Sequence, residues 1–211
     1  MANTTDLSNV LAWRKLELTH IKSQFNNIEN LDVDSKIHCY KTSMLLMYSH
    51  LEGGIKDCIK SFLISINDDK QELNKLNYGI TLLSNKHKLQ GVSIHNYSLL
   101  AEVVKLKDSN DIFNVSEKSI DEMLKKIGNI DEEILGYIST LLNINLDLNG
   151  SLKNTLVLRR HKIAHGTKVD KDDTTINMKF LEECHKRVRD VLDKFSVELS
   201  AQISSKSYIR T

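Results

Sequence analysis

Residues 34–66 read DSKIHCYKTSMLLMYSHLEGGIKDCIKSFLISI, and their spacing decides the fold. Ile37, Tyr40, Met44, Met47, Leu51, Ile55, Cys58 and Phe62 recur at three- and four-residue steps, the repeat that lines one broad face of an α-helix. The pattern predicts a helix beginning near Asp34 and ending near Ile66. At 1.5 Å per residue it would be on the order of 50 Å long. A bend is expected at Gly53-Gly54, where the missing side chains also permit close helix packing.

Working outward, Leu7, Leu11, Leu18, Ile21, Phe25 and Ile28 mark an earlier amphipathic helix, with Thr5 or Asp6 as its N-cap. Residues 67–130 are expected to form a helical and loop insert, with a strand around Val92–Ile94. Near the end of that insert Ser116-Glu117 caps a helix that stops at Gly128, and beyond it Asp131 opens another through Leu142. Asn149-Gly150-Ser151 introduces a helix over residues 151–165 that Gly166 ends. Leu181, Cys184, Val188, Val191, Phe195 and Leu199 line a last helix from about Thr175 to Gln202. The chain has no proline and only eight glycines, so helices can run long. The expected fold is all-α, a single domain over residues 1–211.

Composition excludes several functional classes. Charged residues make up 27% of the 211 and hydrophobic ones 40%, a balance that places the chain among globular proteins. The longest apolar run, Met44–Tyr48, is too short to cross a bilayer, and the first ten residues carry no secretory pattern. A cytoplasmic protein without membrane partners is expected. Cys39, Cys58 and Cys184 are odd in number and widely spaced, which argues against a disulfide framework and for reduced, mostly buried thiols. A net charge of +1 gives no global attraction to nucleic acid. Between Lys153 and Lys171, however, Lys153, Arg159, Arg160, Lys162, Lys168 and Lys171 face only Asp170, a patch suited to holding phosphate.

On a helical wheel Leu152, Leu156, Arg159 and Ile163 share one narrow stripe, so Arg159 points coreward. His161 and His165 lie roughly opposite, with Arg160 between the two faces. Arg159 therefore reads as structural and Arg160 as functional. Glu52, the only acid deep within the second helix, is the expected partner for Arg159; the alternative is that Arg159 carries its head out to solvent. Phosphodiester cleavage needs a group that moves a proton and a cation that holds the growing phosphoryl charge, and histidine and arginine supply both near neutral pH. In RNA the neighbouring 2′-hydroxyl can be the nucleophile.

Arg160-His161-Lys162-Ile163-Ala164-His165-Gly166 resembles the R-x4-6-H motif of HEPN-domain ribonucleases. Met47-Tyr48-Ser49-His50-Leu51-Glu52-Gly53-Gly54-Ile55-Lys56 is similar to the second-helix signature of a bacterial HEPN branch found in conflict and toxin systems. The resemblance implies a helical bundle with additional helices, forming a two-fold dimer whose facing motifs cleave RNA without metal or cofactor. It implies Arg160 and His165 as the catalytic pair, with Arg159, His161, Lys162 and Glu52 binding substrate or supporting the site. The doubled arginine leaves the register between Arg159 and Arg160 open, and Gly54 stands where relatives tend to carry a bulkier apolar residue. Implied partners are RNA, a second copy of the chain, and an antitoxin or other defence-system protein.

Two other functional classes remain: an idle helical module that binds RNA, a nucleotide or a protein through the same groove, and an interaction protein assembled by its long apolar stripes. His161 and His165 also have the H-x3-H spacing of helical zinc sites, with Cys184-His185 as further conceivable ligands. Lys162 stands where the general-base glutamate of the H-E-x-x-H pattern would be, so the metal reading ranks well below the ribonuclease reading and no metal site is expected.

Overall fold

The computed structural model describes residues 7–84, 105–106, 108–146, 156–169 and 176–210. The expected strand at Val92–Ile94, the N-caps Thr5 and Asp6, and the start of the helix expected over 151–165 lie outside them. The described residues form eight α-helices: α1 (Leu7–Val10), α2 (Ala12–Phe25), α3 (Val33–Asp69), α4 (Tyr78–Ser84), α5 (Glu117–Lys125), α6 (Glu132–Leu142), α7 (Leu158–Ala164) and α8 (Met178–Ser205). Among these residues β-structure is limited to two isolated bridges, Glu72 with Ile112 and Leu76 with Ile209. The chain folds as an all-α protein.

Helix α3 is the axis of the bundle. Asp32 caps it by accepting the Ser35 backbone N–H at 3.0 Å, two residues before the expected start. It then continues for 37 residues, about 55 Å, without interruption at Gly53-Gly54. The glycines serve close approach. Arg14 of α2 lays its guanidinium across the bare Cα of Gly53 to reach Asp57, with Nε donating at 2.9 Å. A methyl on Gly54 would sit 2.6 Å from Leu192 Cδ2 of α8 and 3.2 Å from Leu11 Cδ2. Their role is to let two helices press on one point of α3.

Along its length α3 buries Tyr40, Met44, Met47, Tyr48, Leu51, Ile55, Cys58, Ile59, Phe62, Leu63 and Ile66. Against them α8 packs Leu181, Cys184, Val188, Leu192, Phe195 and Leu199, capped by the Asn177 side chain on the Phe180 N–H. Leu192, rather than the expected Val191, takes the inward position. The ends of the two long helices are tied through Asp69, which accepts from Lys206 Nζ at 2.5 Å and Tyr208 Oη at 2.6 Å. The expected first helix is divided at Leu11 into α1 and α2, yet Leu7, Leu11, Leu18, Ile21, Phe25 and Ile28 are all buried as their spacing predicts.

Ser116 and Asp131 cap α5 and α6 as expected, accepting the N–H groups of Ser119 and Ile134. Helix α5 docks on α3 through Lys60, whose Nζ lies 2.8 Å from Asp121 and 3.5 Å from Glu117. Between α5 and α6 the turn through Gly128-Asn129-Ile130 is pinned to α3, because the Ile130 N–H donates to Tyr48 Oη at 2.8 Å. That pin positions one wall of the candidate site.

Candidate RNA-processing site

Helix α7 is short and anchored at both ends. Leu156 and Val157 enter it buried, and Ile163 near its C-terminal end packs partly on the core. Gly166 ends it at φ +74°, a backbone conformation that costs glycine little. The Gly166 N–H donates to the Ile163 carbonyl at 3.1 Å and the Thr167 N–H to the Lys162 carbonyl at 2.9 Å, the paired closure of a Schellman turn. The stop predicted from the glycine is therefore present, and it fixes how His165 leaves the helix.

The two arginines part company as the wheel requires. Arg159 turns inward, where Nη1 donates to Tyr40 Oη at 3.0 Å and its guanidinium carbon lies 4.9 Å from the Phe180 ring centroid. Tyr40 precedes Glu52 by twelve residues, about 18 Å along α3. The expected Arg159–Glu52 pair does not form, because α7 crosses α3 near the N-terminal half of that helix. Glu52 instead accepts from Lys56 Nζ at 2.6 Å, one turn further on.

Arg160 takes the other direction. Its guanidinium carbon stands 4.4 Å over the Tyr48 ring, and Nη1 donates to Asn129 Oδ1 at 3.1 Å. Tyr48 joins several groups at this point. Its hydroxyl accepts the Ile130 N–H and faces Glu52, while burial, then the Glu52 carboxylate, push its ionisation far above the usual phenol range. Glu52 thus belongs to the surroundings of Arg160, through Tyr48, and not to those of Arg159. Cation–π attraction and one hydrogen bond hold the Arg160 head in a defined place.

His161 and His165 are both exposed, on the side of α7 turned away from Arg159. Their ring centroids are 4.3 Å apart with planes inclined by 52°. Lys162 and Lys168 beside them are exposed as well, so these two cations of the basic patch face solvent. Cys184 and His185 do not join the pair. Both are buried on α8, where His185 Nε2 bonds to the Leu18 carbonyl oxygen at 2.8 Å. Burial pushes the Cys184 thiol up to about 12 and lowers His185. Among the described residues no group of three or more His, Cys, Asp and Glu side chains is arranged to hold a metal ion.

Of the residues read from the sequence, the fold brings Arg160 near Glu52 and places His161 beside His165. Arg159 stands apart, under the helix. The spacing argument assigned no role to Tyr40, Tyr48 and Asn129. Their signal was faint: two phenol-bearing rings eight residues apart on an otherwise apolar stripe, and an asparagine following a glycine in a turn.

Residues 3–208 match the family model described as MAE_28990-like HEPN. No curated protein and no solved structure matched the chain. No helix among the described residues is long and apolar enough to cross a membrane. HEPN domains are typically ribonucleases or nucleotide-binding modules. With the match spanning nearly the whole chain, this protein belongs to the HEPN family.

Proposed function

We propose that the protein is a metal-independent endoribonuclease, built as one HEPN domain and acting in the cytoplasm as a toxin or genome-defence effector. One observation carries this reading: α7 holds the Arg160 guanidinium in place over Tyr48 and leaves His165, five residues on, exposed at its C-terminal end. In the proposed reaction the ribose 2′-oxygen attacks the adjacent phosphorus and the bond to the 5′-oxygen breaks. The 2′-hydroxyl proton leaves as the leaving 5′-oxygen gains one, with His165 handling proton transfer. Arg160 holds the charge that grows on the non-bridging oxygens. The products are a 2′,3′-cyclic phosphate and a 5′-hydroxyl, and neither water nor metal is consumed.

Arg160 and His165 are five residues apart, so an ideal helix separates them by about 140°. One copy cannot aim both at a single phosphate. A two-fold dimer would supply Arg160 from one copy and His165 from the other. An antitoxin or another defence-system protein would be the further partner.

The test is cleavage of single-stranded RNA by the purified chain in the presence of EDTA. Wild type should yield cyclic phosphate ends, and His165→Ala and Arg160→Ala should each lose about 100-fold or more in rate. Both positions lie at the surface of α7, so circular dichroism should report intact folds. Cleavage by both variants at the wild-type rate would overturn the proposal. If no form cleaves RNA but Arg160→Ala weakens RNA binding, the idle binding module is the better reading.

A further inference from the structure

We propose that His161 and His165 form a chelating pair for a late divalent transition metal such as Zn²⁺, Ni²⁺ or Cu²⁺. The geometry points to this independently of any cleavage. The His165 N–H donates to the His161 carbonyl at 3.0 Å, so the two residues sit one regular helical turn apart on the same face. Both imidazoles are exposed, and their centroids are 4.3 Å apart. Two metal–nitrogen bonds of about 2.0–2.1 Å, at angles between roughly 90° and 110°, place imidazole centroids about 4.5–5 Å apart. The observed centroid spacing falls short of that range by less than about 1 Å.

The Schellman closure at Gly166 matters here, because it fixes the backbone of His165, the C-cap residue, one turn beyond His161. A frayed end would let the second ring drift from the first. No third His, Cys, Asp or Glu joins the pair among the described residues, so water would complete the coordination sphere. Such an open two-nitrogen site binds reversibly, unlike a closed structural zinc site. Imidazole nitrogen selects for late transition metals over Mg²⁺ and Ca²⁺, which favour oxygen ligands. Affinity should rise from Co²⁺ through Ni²⁺ to Cu²⁺, with Zn²⁺ below Cu²⁺.

The site has a regulatory consequence that rests on the ribonuclease reading. A metal on His165 occupies the nitrogen lone pair that proton transfer uses, so binding would switch cleavage off. The metal is then an inhibitor, which agrees with a reaction that needs none.

Zn²⁺ titration of the full chain against a chromophoric chelator tests the binding directly. Wild type should bind one equivalent that His161→Ala and His165→Ala each weaken by about tenfold or more, while Mg²⁺ fails to compete. Both substituted side chains are exposed, so the folds should persist. In nitrogen-detected spectra the two imidazoles should shift together as Zn²⁺ is added. Equal Zn²⁺ affinity in wild type and His161→Ala would overturn the proposal and leave the ribonuclease reading untouched. Zinc binding of the expected kind by a chain that cleaves no RNA, even with EDTA, would uphold the metal site and remove the ribonuclease reading. Where cleavage is seen, its inhibition by Zn²⁺ should need about tenfold more metal in His161→Ala, each protein compared with its own metal-free rate.

Discussion

Tyr48→Phe separates two tasks that one side chain performs at the candidate site. The substitution keeps the ring under Arg160 and removes the oxygen that accepts the Ile130 N–H at 2.8 Å. Ile130 has no exposed surface and Tyr48 only 1%, so water cannot replace the lost acceptor easily. A buried donor left without a partner costs about 1–3 kcal/mol. Sparing the desolvation of a buried hydroxyl offsets a small part of that, leaving a loss of about 2 kcal/mol. For a chain of this size each kcal/mol moves Tm by about 2–4 °C, so the transition should fall by about 4–8 °C. Urea unfolding followed by circular dichroism measures the same loss as a shift in midpoint at constant slope. Hydrogen exchange adds local resolution, since the Ile130 amide should exchange about 30-fold faster if its opening becomes easier by 2 kcal/mol. Because the ring remains, RNA cleavage should fall by less than tenfold. Tyr48→Leu removes ring and oxygen together and should reduce it much further by releasing the Arg160 head. If Tyr48→Phe left both the urea midpoint and the Ile130 exchange rate unchanged, the claim that Tyr48 pins the Asn129 turn would fail.

Acid should loosen the bundle at two buried imidazoles. His50 and His185 are 8% and 4% exposed, and burial is the main cause that lowers both, joined at His50 by nearby Arg14. Burial disfavours their charged forms in the fold, whereas in the unfolded chain they take up protons near the ordinary value of about 6.5. Their contribution is therefore present in full above about pH 6.5 and is lost as the pH falls from there through the folded values. Urea midpoints measured from pH 8 to pH 5 should hold level and then decline, and His185→Gln should flatten the decline. Two glycines should respond with opposite signs to the same substitution. Gly54→Ala drives a methyl to within 2.6 Å of Leu192 Cδ2, and after the helix-propensity gain of about 1 kcal/mol it should still cost about 1–2 kcal/mol. Gly136→Ala on α6 meets open space and should stabilise by about 0.5–1 kcal/mol, so a thermal melt of the two variants checks the packing argument with its own control.

The features that were legible in the sequence are those whose cause is local. Ser116, Asp131 and Gly166 act on backbone groups within a few residues, so their residue type and place in the pattern were enough to locate helix ends. The stripe from Tyr40 to Phe62 was readable because one period governs a whole face, and the core it predicts is buried residue by residue. The errors fall where two distant segments must meet. Arg159 was assigned to Glu52 because the stripe offered no other acid, yet a phenol hydroxyl and an aromatic face receive it instead. Nothing in the sequence states how far along α3 the short helix α7 crosses. The break at Leu11 and the exchange of Val191 for Leu192 have the same origin, since each side chain turns toward whichever neighbour the helix crossing provides.

That crossing point also distinguishes the two arginines more firmly than spacing could. R-x4-6-H admits either residue, but Arg159 lies between Tyr40 and Phe180, partly buried, with its guanidinium spent on the junction of α3 with α8. Arg160 stands at the outer edge of α3, held by groups from α3 and from the turn before α6. A guanidinium held this way loses less conformational entropy on meeting a phosphate than a freely rotating one would. The imidazole at position 165 is exposed at the C-cap of α7, and five residues on an ideal helix place it about 140° around from Arg160. Within one copy the two groups therefore diverge, and what tightens one of them does nothing to bring the other closer. The proposed chemistry needs a partner surface that presents a second α7, and under that proposal the fixed arginine would be the half of the site already placed to meet a phosphate before the partner arrives.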